Sequence, residues 1–153
     1  MEREEIANQN IEAYEGLGRV IKLQSLFFDL DLYKEDTLLT LRKATSFAGQ
    51  DANAEFTPET SLDGELVTVV FNCEGAVKAH KVNYQDKDEV EVLSAVEGED
   101  EYLVPAGTHF QISDSSNADD IEEMGYCEVN IYQLKEEEYK EAKDYGANEI
   151  FDI

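Results

Sequence analysis

From residue 38 onward the chain is cut into short apolar runs, with no long helical segments between them. The runs from Leu38 to Leu41, Leu66 to Phe71, Ala76 to Val82, Val90 to Val96, Tyr102 to Val104, Thr108 to Ile112 and Tyr126 to Leu134 read as strands separated by turn-forming residues. Residues 46–53 are small and polar and read as a loop. Parallel neighbours need crossover connections, usually helical, so the spacing disfavours a doubly wound parallel sheet and favours mostly antiparallel pairing. Upstream, Ile6, Ile11 and Tyr14 keep roughly helical spacing from Glu4 to Tyr14, and Gly16 and Gly18 then interrupt it. The stretch from Val20 to Phe28 predicts a second helix, followed by a connecting segment to Asp36, and the acidic run from Lys135 to Lys143 predicts a terminal one. Helices first and strands after them indicate an α+β fold in one domain. Its parts are a helical segment 1–36, a strand-rich core 37–134, and a terminal helix and tail 135–153.

The 153 residues, 42% of them hydrophobic, suffice for one core and one site. Twelve basic against 36 acidic side chains leave a net charge of −24, spread along the whole chain. That field disfavours nucleic acid and anionic membrane as partners and attracts cationic ones, although it also serves solubility. No apolar stretch approaches the ~20 residues that cross a bilayer, and Met1-Glu2-Arg3-Glu4-Glu5 lacks the basic-then-apolar order of a signal peptide. A cytoplasmic protein is expected. Cys73 and Cys127 lie in apolar runs without metal-ligand spacing, so they read as buried free thiols, and no metal site is expected. His80 and His109 read as hydrogen-bonded structural residues.

Three ordered features carry chemistry. The first is Asp36-Thr37-Leu38-Leu39-Thr40-Leu41-Arg42, an apolar strand ending in arginine. The second is Phe56-Thr57-Pro58-Glu59-Thr60-Ser61-Leu62, an aromatic residue ahead of paired hydroxyls. The third, the most specific, is Glu99-Asp100-Glu101-Tyr102-Leu103-Val104 with the Pro105-Ala106-Gly107 turn and the returning Thr108-His109-Phe110-Gln111-Ile112. Acids two places apart are common here, Glu89 and Glu91 being another pair, so the turn and strand that follow Glu101 single out its pair. In this order the features resemble the mono-ADP-ribosyltransferases of the arginine/serine/glutamate class, glutamate-x-glutamate subtype. Residues from Ile11 to Ile21 are similar to that family's first helix, so the resemblance extends over most of the chain.

The resemblance implies N-terminal helices packed on two mostly antiparallel sheets that form a cleft for NAD, the ADP-ribose donor. It implies Glu101 and Glu99 as catalytic residues, with Arg42, Thr60 and Ser61 binding the dinucleotide. Breaking the nicotinamide–ribose bond develops oxocarbenium character, which a fixed carboxylate stabilises, and Glu101 is placed in that role. On a strand, residues two apart share a face, so Glu99 is expected beside Glu101. A glutamate at that earlier position goes with arginine acceptors, whose guanidinium a carboxylate orients through paired hydrogen bonds. Arg42 would hold the phosphates or ribose, and Thr60 or Ser61 would hold Glu101. The segment from Tyr84 to Gly98 corresponds to the loop that meets the protein substrate, where Tyr84 or Tyr102 could touch target or nicotinamide, and Phe56 reads as core. Small acidic transferases of this kind resemble bacterial or phage effectors that modify host proteins. Two other readings stay open: an NAD glycohydrolase on the same fold, and a non-catalytic acidic protein that occupies a basic surface as a nucleic-acid mimic or inhibitor.

Overall fold

The structure is a computed structural model that describes residues 1–49 and 66–153. In chain order the elements are α1 (Arg3–Ala7), β1 (Ile11–Tyr14), β2 (Gly18–Gln24), a 3-10 turn (Ser25–Phe27), β3 (Leu38–Thr40), β4 (Thr45–Ala48), β5 (Leu66–Cys73) and β6 (Val77–Lys81). They continue with α2 (Lys87–Leu93), β7 (Glu101–Val104), β8 (His109–Ser115), α3 (Ala118–Met124), β9 (Cys127–Leu134), α4 (Glu136–Asp144) and β10 (Glu149–Phe151).

The strands run β1-β6-β7-β4-β2-β5-β9-β8-β3-β10, and the join between β4 and β2 is the single pair Gly18–Ala48. The described residues therefore form two sheets sharing one point. The smaller, β1-β6-β7-β4, is antiparallel throughout. In the larger, β5 with β9 and β3 with β10 are parallel and the other neighbours antiparallel. Between them lies the main core, where Phe47 of β4 stacks on Phe110 of β8 with ring centroids 5.9 Å apart, and Leu39, Val69, Phe71, Ile112, Val129 and Ile131 are shut off from solvent. A second cluster, Ile6, Ala7, Ala44, Val82, Leu93 and Leu103, packs α1 and α2 onto the smaller sheet. No helix among the described residues is long and apolar enough to cross a membrane.

The α+β class with two mostly antiparallel sheets is what the sequence suggests, but the helical N-terminal segment is not. Only α1 forms there, ending at Asn8, and residues 11–14 pair with β6 as a strand. The stretch predicted as a second helix is β2 followed by the 3-10 turn. Ile21 and Leu23 pack against the core and alternate with exposed Lys22 and Gln24, and β2 pairs with β5 over its whole length. That period of two, together with β-branched Val20 and Ile21, decides against a helix. The reverse error falls in residues 90–96. Asp86 accepts hydrogen bonds from the N–H groups of Asp88 and Glu89 and starts α2, which ends at Ser94 with a left-handed φ of 52°. Residues 46–48, read as the start of a loop, belong to β4. Helix α3, with an Asn117–Asp120 capping box and Gly125 at its end, and strand β10 were not anticipated.

Candidate active site

An open cleft of about 580 Å³ sits where the two sheets meet, lined by Gly18, Arg19, Ser46, Phe47, Ala48, Leu93, Ser94, Gly98, Glu99 and Glu101 among others. The volume is in the range of small-molecule sites. Its floor follows from register. Ala48 stands opposite Glu101 across the β4–β7 pair, and Ser46 stands opposite Leu103. Ser46 and Glu101 are thus diagonal neighbours on one face, and the small side chain of Ala48 leaves the space above them open.

Glu101 is 8% exposed, and its carboxylate accepts a 2.6 Å hydrogen bond from the Ser46 hydroxyl. Its backbone N–H donates to the Tyr84 hydroxyl at 2.9 Å. Burial raises the Tyr84 phenol, the bond from Glu101 N–H works against that, and the charges of Glu101, Asp100 and Glu99 add to the rise. The hydroxyl therefore stays protonated near neutrality. Tyr84 braces the strand that carries the carboxylate, whereas Tyr102 is buried, with its ring set edge-on to Tyr14 at 4.8 Å.

Arg19 follows the joining residue Gly18 directly. Its Nε donates to the Ile153 carbonyl at 2.8 Å and its Nη1 to the Ser46 carbonyl at 2.9 Å, so the guanidinium is fixed against the strand that bears the hydroxyl. Burial, and after it the charge of Arg3, push the Arg19 guanidinium below its ordinary pKa. Among the described residues that line the cleft Arg19 is the cation, set against the carboxylates of Glu99 and Glu101, so it is the group there that can meet an anionic part of a ligand.

Glu99 and Glu101 line the same cleft, but by a different route from strand alternation. Strand β7 begins only at Glu101, and Asp100 before it has a left-handed φ of 48°. Glu99 therefore projects from a turn and is exposed at the cleft mouth while Glu101 is buried at its floor. Arg42, by contrast, is not among the cleft-lining residues. Its side chain is 67% exposed, pairs with Asp152 at 2.8 Å and lies 5.0 Å over the Phe151 ring. Thr60 and Ser61, like Phe56, lie outside the described residues. Sequence reasoning missed Arg19 and Ser46. The first was hidden in a presumed helix and the second in a presumed loop, yet Thr45-Ser46-Phe47-Ala48 carries a hydroxyl pair next to an alternating aromatic.

The other reactive side chains are tied up. His80 is held by the Gln9 carbonyl and Glu89, and His109 by Thr40 and Glu136. Cys73 and Cys127 are buried free thiols whose pKa burial pushes up to about 12, too high for a thiolate nucleophile near neutrality. Among the described residues no group of His, Cys, Asp and Glu is arranged to hold a metal ion.

No protein-family model and no curated protein matches the sequence. Solved structures do match. The Vis toxin, an ADP-ribosyltransferase from Vibrio splendidus, aligns over 91% of this chain and 55% of its own, with a TM-score of 0.52 and 17% identity. The chain has the ADP-ribosyltransferase fold. More distant matches are the type III effector XopAI from Xanthomonas axonopodis pv. citri (TM-score 0.49, 15% identity, 80% of this chain and 45% of that one) and the ADP-ribosyltransferase HopU1 of Pseudomonas syringae pv. tomato DC3000 (0.46, 14%, 80% and 46%). The chain spans about half the length of these solved structures.

Proposed function

We propose that this chain binds NAD in the cleft between its sheets and transfers ADP-ribose to a protein side chain, arginine being the acceptor that its carboxylates favour. The observation that carries the reading is the buried Glu101 carboxylate, held at 2.6 Å by Ser46 beside the fixed guanidinium of Arg19, at the meeting point of the two sheets of a transferase fold. In the reaction the bond between ribose C1 and the nicotinamide nitrogen breaks, and its electron pair leaves with neutral nicotinamide. Positive charge spreads over C1 and the ring oxygen. Glu101, pre-set by Ser46, faces that charge without reorganising. The acceptor nitrogen then supplies the electron pair of the new bond to C1 and passes a proton to the Glu99 carboxylate, which returns it to solvent.

The pyrophosphate role passes from Arg42 to Arg19, since Arg19 lines the cleft and Arg42 is engaged outside it. Ser46 takes the hydroxyl role that the sequence suggested for Thr60 or Ser61. Glu99, exposed at the mouth, is placed to receive a guanidinium from a bound protein and orient its nitrogen toward C1. Its exposure suits a macromolecular acceptor, and the acidic surface around it suits a basic one. The same surface fits an effector meeting a host protein inside a cell.

The test is to incubate the protein with labelled NAD and a cell lysate and to compare wild type with Glu101→Gln and Arg19→Lys. Label transferred to protein by wild type, lost in Glu101→Gln and restored only at raised NAD in Arg19→Lys, is expected. Mapping the modified residue tests the arginine assignment, and Glu99→Gln should lose transfer while retaining slow release of nicotinamide. Nicotinamide release without labelled protein in the wild type would make the chain an NAD glycohydrolase. Absence of both NAD binding and turnover would leave an acidic binding protein.

A further inference from the structure

We infer that Arg3, in the first turn of the five-residue helix α1, is a positioning residue for the carboxylate of the cleft; the inference rests on the transferase reading above. Arg3 Nη2 donates to the Ser46 hydroxyl oxygen at 2.9 Å, and that hydroxyl donates to Glu101 at 2.6 Å. A serine hydroxyl has one proton and rotates freely. Once its oxygen accepts from Arg3, its proton is directed at Glu101. A cationic donor behind it also polarises the O–H, so the relay Arg3–Ser46–Glu101 is stronger than either bond alone.

The helix is anchored for this task. Arg3 Nε donates to the Ala44 carbonyl at 3.3 Å, and the Glu4 carboxylate accepts from the Ala44 N–H at 2.9 and 3.1 Å, so consecutive side chains clamp the backbone that leads into β4. Ile6 and Ala7 are buried on the smaller sheet and hold the helix in place. Arg3 is not itself among the cleft-lining residues, so it acts on a bound substrate through Ser46.

The experiment is a double-mutant cycle with Arg3→Met, Ser46→Ala and the pair, read by kcat and KM for NAD and by thermal unfolding, together with crystal structures of wild type and Arg3→Met. Arg3→Met should lower kcat about tenfold with KM for NAD nearly unchanged, and Arg3→Lys should recover most of the loss. In the Ser46→Ala background Arg3→Met should lower kcat no further, although it still removes its Ala44 contact and the small stability that goes with it. A full tenfold loss in that background, or an unchanged kcat in the single variant, overturns the proposal. If the wild type turns over no NAD, the transferase reading fails separately, and the crystal structures decide the positioning role. A Ser46–Glu101 separation beyond hydrogen-bond reach in Arg3→Met supports it, and an unchanged separation refutes it.

Discussion

Glu101 and Glu149 each accept a 2.6 Å hydrogen bond from a hydroxyl on the neighbouring strand, Ser46 on β4 and Thr40 on β3, and both side chains are largely withdrawn from solvent. Their surroundings then diverge. Glu149 also receives the Tyr139 hydroxyl at 2.6 Å and the Lys143 ammonium at 2.8 Å, while His109 stacks on Tyr139 at 3.5 Å and closes the cluster. For the Glu101 carboxylate, Ser46 is the hydrogen-bond donor found among the described residues, and the space in front of it is the cleft. One carboxylate is satisfied by the protein and stabilises the fold. The other is held but left available, which a group that meets developing positive charge requires.

The largest effect expected from this contrast is on turnover. Glu101→Gln should lower NAD turnover by about 10²–10³-fold while shifting folding stability by under about 1 kcal/mol, since the amide keeps the shape and can still accept from Ser46. Equal losses of activity and stability, measured by steady-state kinetics and urea unfolding, would erase the distinction between the two glutamates.

Glu149→Gln should do the opposite, leaving kcat unchanged and lowering stability by about 2 kcal/mol, because its amide oxygen can still accept from Thr40 and Tyr139 but those bonds and the one from Lys143 lose their charged acceptor; solvent screening discounts the half-exposed Lys143. Burial alone would raise the Glu149 carboxyl, but the bonds from Lys143, Thr40 and Tyr139 outweigh it and hold the folded-state pKa below the ordinary value. A depressed pKa means that the stabilisation is fully present above the unfolded carboxyl pKa of about 4.3 and is lost as pH falls through the folded-state value. The gap in unfolding midpoint between wild type and Glu149→Gln should therefore be constant from pH 7 to about pH 5 and shrink below about pH 4. Comparing the two proteins at each pH removes the separate gain that acid gives any chain of this charge.

The same pair shows what could be read in the sequence. The strand that carries Glu101 was legible because it, the Pro105-Ala106-Gly107 turn and the returning strand are contiguous, and the turn chemistry fixes them locally. Strands β5, β6, β8 and β9 and the terminal helix were legible for similar reasons. Arg19 and Ser46 were not, because their value depends on Gly18 pairing with Ala48, a contact between segments whose own periodicity was ambiguous. Short runs such as Val20 to Phe28 do not distinguish helix from strand until a partner of the right register, here β5, is present. The Glu149 cluster needs β10 to lie beside β3, and nothing in Glu149-Ile150-Phe151 alone announces that.

A smaller perturbation breaks the cleft without touching its carboxylate. Gly49 follows β4, its N–H donates to the Asp100 carbonyl at 3.0 Å, and a Cβ placed on it would lie 1.9 Å from the Asp100 carboxylate and 3.2 Å from the Tyr102 ring. Gly49→Ala forces the Asp100 side chain to move, and Asp100 sits in the left-handed turn between Glu99 and Glu101. Turnover should fall about tenfold from misplacement of that turn, with a stability loss near 1 kcal/mol. An unchanged kcat would mean that the turn tolerates displacement and that Glu99 need not be placed accurately.

The smallest effect should come from Arg42. The backbone N–H of Arg42 donates to Asp152 at 2.7 Å and its Nε reaches the same carboxylate at 2.8 Å, so the pair ties the chain after β3 to the residue after β10. Burial works against ionisation of Asp152, but both Arg42 bonds and the nearby charges of Arg42 and Lys43 hold its carboxyl below the usual range. Arg42→Ala removes a largely exposed guanidinium and its contact with the Phe151 ring while keeping the backbone bond, which limits the loss to about 1 kcal/mol or less. KM for NAD should stay within about twofold, whereas Arg19→Lys, which sacrifices a two-pronged hold on the Ser46 and Ile153 carbonyls, should raise it severalfold. A larger rise in KM for Arg42→Ala than for Arg19→Lys would return the phosphate-binding role to Arg42, and would mean that the NAD site extends past the β3–β10 edge instead of ending where the two sheets join.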